Sequence, residues 1–356
     1  MIRILFICLL SIFSLAEVCL GAETICSDYP PTPGRQRTAR TSGISGRFGR
    51  LRGGSGEPLV VGIDGGTESI RAGLFRADGM LVGVASAAYK TTFPRPGWAE
   101  QHPQDWWQCL GKAVRGAVSA AAAAESGGSD SGAAAEAGVA SRIQAMCVDT
   151  TCCTVVALDT DGEAVRPALL WMDSRSAPQA AHIMRVCKGM PPLQVNCNGE
   201  GPLSAEWMLP KSMWLKENDP DTWAKAHTIC EYQDFINWKL TGRLCASSCN
   251  TAARWHWDAD AAISSKKDKT SQKEQSDPPL SPSPSSAAAA GRPLELLSRL
   301  EMTELADKWP QECVGMGGVI GGLTAAAADH LGLRTGLLVA QGGPDAFVGM
   351  LGLGAT

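Results

Sequence analysis

The chain has 356 residues, 44% of them apolar, with a formal net charge of −4 and an isoelectric point near 5.8. That length accommodates one large domain or two medium ones around ordinary hydrophobic cores. Its mild acidity excludes the basic field that would make nucleic acid the main partner.

Thirteen cysteines are scattered without regular spacing. Cys152 and Cys153 are adjacent, and Cys245 and Cys249 lack a second ligand pair nearby. This argues against zinc and for reduced, buried thiols in a reducing compartment. The N-terminus points elsewhere. Residues 1–22 carry a charged start and an apolar run ending in small residues, as a signal peptide does. Residues 23–57 then form a linker whose stretch from Pro30 to Gly54 lacks acidic residues, as in a transit peptide. Expected destinations are a plastid or the secretory route, otherwise the cytoplasm, with no membrane association once the presequence is removed.

The first element of the fold runs from Leu59 to Phe75, LVVGIDGGTESIRAGLF. An apolar run, a glycine turn and resumed alternation predict a β-hairpin. Its tip (Gly65, Gly66, Thr67, Ser69) offers backbone N–H groups and hydroxyls to a polyphosphate. Asp64, ending the first strand, is placed to hold Mg²⁺ through water. An ordinary glycine-rich hairpin is the competing reading. No Gly-Lys-Ser/Thr follows, so this is not a Walker A loop; strand rather than helix follows, so it is not a dinucleotide fingerprint.

A third strand, Met80 to Tyr89, completes a meander that opens a ribonuclease-H-like α/β domain. Pro103 starts a helix with Trp106, Leu110, Val114 and Val118 on its apolar face. The Ala/Gly/Ser run at 120–140 reads as a low-complexity surface insert, and the Ser/Lys/Pro-rich run at 264–291 as a disordered one. Strands are expected at Ile143 to Asp149, Thr154 to Leu158, Ala168 to Trp171 and Leu337 to Ala340, a helix from Glu206 to Asn218, and a short strand followed by a helix within Thr228 to Leu240. Gln341-Gly342-Gly343-Pro344 reads as a turn, placing Asp345 at the start of a small-residue helix. Asp345 is either a helix N-cap or the carboxylate that takes a hydroxyl proton in phosphoryl transfer.

DGGTES, PGWAEQHPQDWW, VDTTCCTVVALD, LLWMDSR and GGPDAFVGMLGLGA follow in this order, and with them residues 58–356 resemble the N-terminal domain of the FGGY carbohydrate kinases, the ribulokinase and ribitol-kinase-like members above all. The resemblance implies an actin-like ATPase/sugar kinase fold, a mixed sheet flanked by helices. It also implies an enzyme that uses ATP and Mg²⁺ to phosphorylate a pentulose or pentitol, possible homo-oligomers, and a second, nucleotide-binding domain that is absent from this sequence, so that a truncated N-terminal half is expected. By the same resemblance Asp345 is the base and Gly65, Gly66, Thr67 and Ser69 hold the β- and γ-phosphates. Thr151, Cys152, Trp171, Asp173, Arg175 and Glu206 fall on sugar-site positions. Several have a structural alternative. Trp171 suits a core, Asp173 and Arg175 suit a mutual ion pair, and Glu206 suits a solvated helix start. Trp106 and Trp107 read as core or interdomain residues. The competing function is a non-catalytic sugar-binding remnant of such a kinase. An assembly-type ATPase fits less well, because Thr151, Trp171 and the PGWAEQ segment suit a small polyhydroxylated ligand.

Overall fold

A computed structural model describes residues 56–127, 132–195, 203–258 and 291–352. The signal-like segment and all but the last two residues of the transit-like linker lie outside the described residues, as does nearly all of the 264–291 insert. Three strands open the fold: β1 (Leu59–Gly65), β2 (Ser69–Arg76) and β3 (Leu81–Ala88). They pair antiparallel as a meander, Ile63 opposite Ala72 and Ala72 opposite Ala85. Next come β4 (Glu100–Gln101), β5 (Ile143–Thr150), β6 (Val155–Leu158), β7 (Ala168–Leu169) and β8 (Thr228–Glu231). The last are β9 (Ala246–Ser247), β10 (Cys313–Val314), β11 (Val319–Gly322) and β12 (Leu338–Pro344).

The main sheet has the order β11-β12-β5-β1-β2-β3, with β5 parallel to both β1 and β12. Leu59, Val61, Ile63, Val148 and Val339 bury one of its layers against Leu110, Val114 and Ala117 of the helix Pro103–Glu125. Such a sheet, parallel at its centre and flanked by helices, is the mixed architecture expected from the sequence. A second sheet, β4-β7-β6-β8, and a second apolar cluster containing Trp207, Trp214, Trp255 and Trp309 form a neighbouring layer. The strands at 155–158 and 168–169 therefore do not extend the first sheet, as simple continuation would have them do.

The low-complexity stretch at 120–140 is not loop where it is described but helix, the end of Pro103–Glu125 and then Ala133–Arg142, and apart from Ala121, Ala122 and Val139 it lies mostly at the surface. Alanine has the highest helix propensity, and its small side chain permits close packing. Ala117, Ala121 and Ala122 are buried, and a Cβ on Gly83 of β3 would lie 2.3 Å from the Ala117 carbonyl oxygen. Nor do Gly342 and Gly343 form a turn: β12 runs through them to Pro344 and passes directly into the helix Asp345–Gly352. The reason is proximity. A Cβ on Gly342 would lie 2.0 Å from the Val148 carbonyl oxygen of β5.

Candidate active site

β1, β5 and β12 end side by side, and each carries an acid at or near that end. Asp64 of β1 is the register partner of Asp149 on β5, and Pro344 of β12 is the partner of Thr150. Adjacent strands lie about 4.8 Å apart, so Asp64, Asp149 and Asp345 converge at one edge, the place where open α/β sheets bind ligands. Electrostatics register this convergence. Burial and then the charges of Asp64 and Asp345 push the Asp149 carboxyl well above its ordinary value. Burial and the charge of Asp64 raise Asp345 as well, against a 2.7 Å hydrogen bond that its Oδ1 accepts from the Ala346 N–H. Arg71 sits opposite Asp64 on β2 and donates to its Oδ2 at 2.5 Å. Two expected acids thus share one site, and Asp149 joins them.

The hairpin tip is built by contacts from three directions. Gly66 donates its N–H to the Ser69 carbonyl at 3.0 Å, so that group is used within the turn rather than offered outward. Tyr89 donates its hydroxyl to the Gly66 carbonyl, and Gln101 donates its amide to the Thr67 carbonyl at 2.7 Å. Trp106 fixes Gln101 from below through its indole N–H, 2.8 Å from Oε1, and stacks on Tyr232 at 3.8 Å. Trp106 is core, as is Trp107, which stacks on His330. Gly65 has no room for a side chain: a Cβ would meet the Tyr232 hydroxyl at 2.8 Å and Thr150 Cγ2 at 2.9 Å.

The expected sugar-site residues divide into two groups. Thr151 follows β5 directly and donates its N–H to the Gly65 carbonyl at 3.0 Å; Cys152 comes next, half-buried. Trp171 is 36% exposed and donates its indole N–H to the Thr67 hydroxyl at 3.1 Å. These residues stand beside the hairpin tip. Glu206, half-buried just before the helix Met208–Asn218, exerts its field on Lys211 beneath them. Asp173 and Arg175 go elsewhere. Both are buried, and Arg175 donates to Asp173 through Nε at 2.8 Å and Nη2 at 2.7 Å. Asp173 also accepts the Ala99 N–H at 2.7 Å, while Arg175 reaches Glu100 at 2.8 Å and lies 3.7 Å over Trp98. Of the two readings the sequence left open, this geometry is the mutual ion pair, tying the 97–101 segment to the loop after β7.

Several residues escaped the sequence reading. Lys211 is fully buried and donates to the carbonyls of Cys153 at 2.7 Å and Leu170 at 2.5 Å, so one ammonium fastens the loop after β5 to the loop after β7. Glu231, buried, accepts the Cys153 N–H at 2.9 Å and the Trp255 indole N–H at 2.6 Å. A lysine or glutamate within apolar helix-and-strand sequence carries no local mark of such a role. Asp149 did carry one: an acid ending a β-strand run next to Thr-Thr-Cys-Cys, in the same position as Asp64 before its own turn.

Comparison with known proteins identifies the family. The model for the N-terminal domain of the FGGY family of carbohydrate kinases matches residues 59–258. The chain belongs to this family. Among curated relatives, an FGGY carbohydrate kinase domain-containing protein of Danio rerio is 30% identical over 84% of this chain and 48% of its own length. A ribulokinase of Shouchella clausii is 28% identical over 83% of this chain and 50% of its own. The chain therefore spans about half the length of these FGGY relatives. Among solved structures, a xylulose kinase from Rhodospirillum rubrum superposes with a TM-score of 0.59 at 23% identity, covering 80% of this chain and 49% of that one. The fold is accordingly the sugar kinase, actin-like ATPase fold.

Proposed function

We propose that this chain carries the sugar-binding and base-bearing half of an ATP-dependent kinase acting on a pentulose or pentitol. The observation that supports it most is the meeting of Asp64 and Asp345 at one sheet edge, each on its own strand end, with Asp345 raised by burial and, less, by the charge of Asp64. A raised carboxyl is a stronger proton acceptor than an ordinary one. Asp345 takes the proton of the attacking hydroxyl; the oxygen bonds to the terminal phosphorus of ATP; the bond to ADP breaks. The hairpin tip positions the transferred phosphate, and Thr151, Cys152 and Trp171 form the wall against which the carbon chain rests. Among the described residues no group of three or more His, Cys, Asp or Glu is arranged to hold a bare metal ion. Yet the carboxylates of Asp64 and Asp345 outnumber the guanidinium of Arg71 at this edge, and Asp149 Oδ1 is buried without a hydrogen-bond partner. That charge excess suits a hydrated Mg²⁺ held through water by Asp64 and Asp345. Bound there, Mg²⁺ supplies neutralisation of phosphate charge.

Relatives named xylulose kinase and ribulokinase favour five-carbon substrates. The test is a screen of pentuloses and pentitols for sugar-dependent ADP release, with binding measured in parallel by calorimetry. Release that disappears in Asp345→Ala while sugar binding persists supports the reading. Binding without release in the unaltered chain supports the non-catalytic sugar binder, and absence of both overturns the sugar assignment.

A further inference from the structure

Successive side chains of an extended chain point to opposite sides. Cys152 and Cys153 do not. Cys153 has φ of 66°, and the turn this creates brings the two sulfurs to 3.6 Å, with the Cys153 thiol donating to Cys152. The arrangement is held firmly: Glu231 accepts the Cys153 N–H at 2.9 Å, and Lys211 donates to its carbonyl at 2.7 Å. Cys153 faces the apolar layer and is buried, whereas Cys152 is half-buried beside Thr151 and the sugar wall. The Arg254 guanidinium is close enough for its charge to act on both sulfurs. Among the nine described cysteines, seven are buried, leaving Cys152 and Cys249 accessible.

We propose that Cys152 and Cys153 form a peroxide-sensitive dithiol in the wall of the sugar site, and that its oxidation to a vicinal disulfide closes that site to substrate. This rests on the sugar-site reading above. Chemically, the Cys152 thiolate attacks one peroxide oxygen, the O–O bond breaks and a sulfenic acid forms with release of water. The Cys153 sulfur then displaces the sulfenic oxygen as a second water, forming the S–S bond. Two thiols and one hydrogen peroxide give one disulfide and two waters, with each sulfur giving up one electron and the peroxide taking up two. Closing the bond draws the sulfurs from 3.6 Å to about 2.05 Å, which pulls Cys152 out of the wall. The Cys153 hydrogen bond, followed in influence by burial and Glu231 acting against it and Arg254 acting with it, holds the Cys152 thiol below its ordinary value. Cys249 is instead raised by burial. Thiolate fraction controls thiol reactivity, so Cys152 reacts with peroxide about tenfold or more faster than Cys249.

The experiment treats the full chain with hydrogen peroxide, blocks remaining thiols with iodoacetamide and maps the peptides by mass spectrometry. Expected is a loss of two hydrogens on the peptide carrying Cys152 and Cys153, reversed by dithiothreitol, ahead of any change at Cys249. Cys153→Ser stops the sequence at a Cys152 sulfenic acid trappable by dimedone, and Cys152→Ser abolishes it. Oxidation of Cys249 or the buried thiols at an equal rate overturns the proposal. Saturating sugar slows the loss about tenfold; no slowing in a chain shown by calorimetry to bind that sugar also overturns it. If no sugar binds, the functional reading fails by itself, while the peptide map still decides whether the pair is the sensitive dithiol.

Discussion

Lys211 offers a measurement whose sign and size both follow from its surroundings. Its ammonium is fully buried beneath the sugar wall, held by the carbonyls of Cys153, Leu170 and, at 3.4 Å, Leu169. Burial lowers its pKa from 10.5 to about 8, against the raising fields of Cys153, Asp173, Glu231 and Glu206. An amine with a depressed folded value binds fewer protons when folded than unfolded between those limits, so stability rises with pH there. The full cost, about 3 kcal/mol, is present below pH 8 and is relieved as the solution approaches pH 10.5. Lys211→Met keeps the volume but removes the titration and the donor to these carbonyls; Leu170 still accepts the Asp173 N–H at 2.9 Å, and an unmatched carbonyl costs about 1–3 kcal/mol. Relative to the unaltered chain the variant therefore loses about 3 kcal/mol between pH 8 and pH 10.5, because only the unaltered chain gains stability there. Urea midpoints read by tryptophan fluorescence at pH 7, 8, 9 and 10 for both proteins give the difference curve, in which the tyrosine and cysteine titrations common to both cancel. A deficit that stays constant or narrows with pH refutes the assignment of a buried, strongly perturbed amine at this position.

The other predictions concern the sheet edge and its wall. Asp149 is raised by burial, so it keeps its proton in the fold at pH values where the unfolded chain has released it; its cost appears above about pH 4 and grows with pH up to its folded value. Asp149→Asn removes that slope, gaining about 1.4 kcal/mol relative to the unaltered chain for each pH unit gained between those limits, as chemical denaturation from pH 4 to 7 will show. Gly342→Ala places a methyl 2.0 Å from the Val148 oxygen, where the Gln233 amide already donates at 2.7 Å. Separating β12 from β5 by more than a bond's half-length costs about 3 kcal/mol, and an unchanged urea midpoint contradicts it. Trp171→Ala, at a residue 36% exposed, leaves the midpoint within about 0.5 kcal/mol but weakens sugar binding by calorimetry roughly tenfold.

The hairpin was readable because its two signals, alternation and a glycine turn, are local. The pairing of Gly65 opposite Ile70 then follows from chain direction alone. The glycines of β12 misled for a physical reason: glycine marks turns through its free φ, but Gly342 is needed for lack of a side chain against β5, a neighbour nearly two hundred residues distant. The helices within the alanine run at 120–140 were not legible, because a run of alanine, glycine and serine shows no apolar periodicity to mark a buried face. Asp173 and Arg175 were undecidable until Ala99, Glu100 and Trp98 were placed around them. The second sheet was hidden because β4 and β7 are two residues each, too short for any periodicity to register.

What unites the site is one short run of chain. Asp149 meets Asp64, Thr150 pairs with Pro344 beside Asp345, Thr151 donates to Gly65, and Cys152 opens onto the sugar wall. Four consecutive residues thus touch Asp64, the strand end that leads into Asp345, the hairpin tip and the proposed sugar wall. A backbone this short cannot move one of these contacts by an ångström and leave the others in place, because consecutive Cα atoms are fixed about 3.8 Å apart. Positioning of the reacting groups is worth several orders of magnitude in rate. The end of β5 is accordingly where stability and reactivity are bound together, and a change that forces β5 from β12, as Gly342→Ala does, disturbs sugar binding as well as the acid pair.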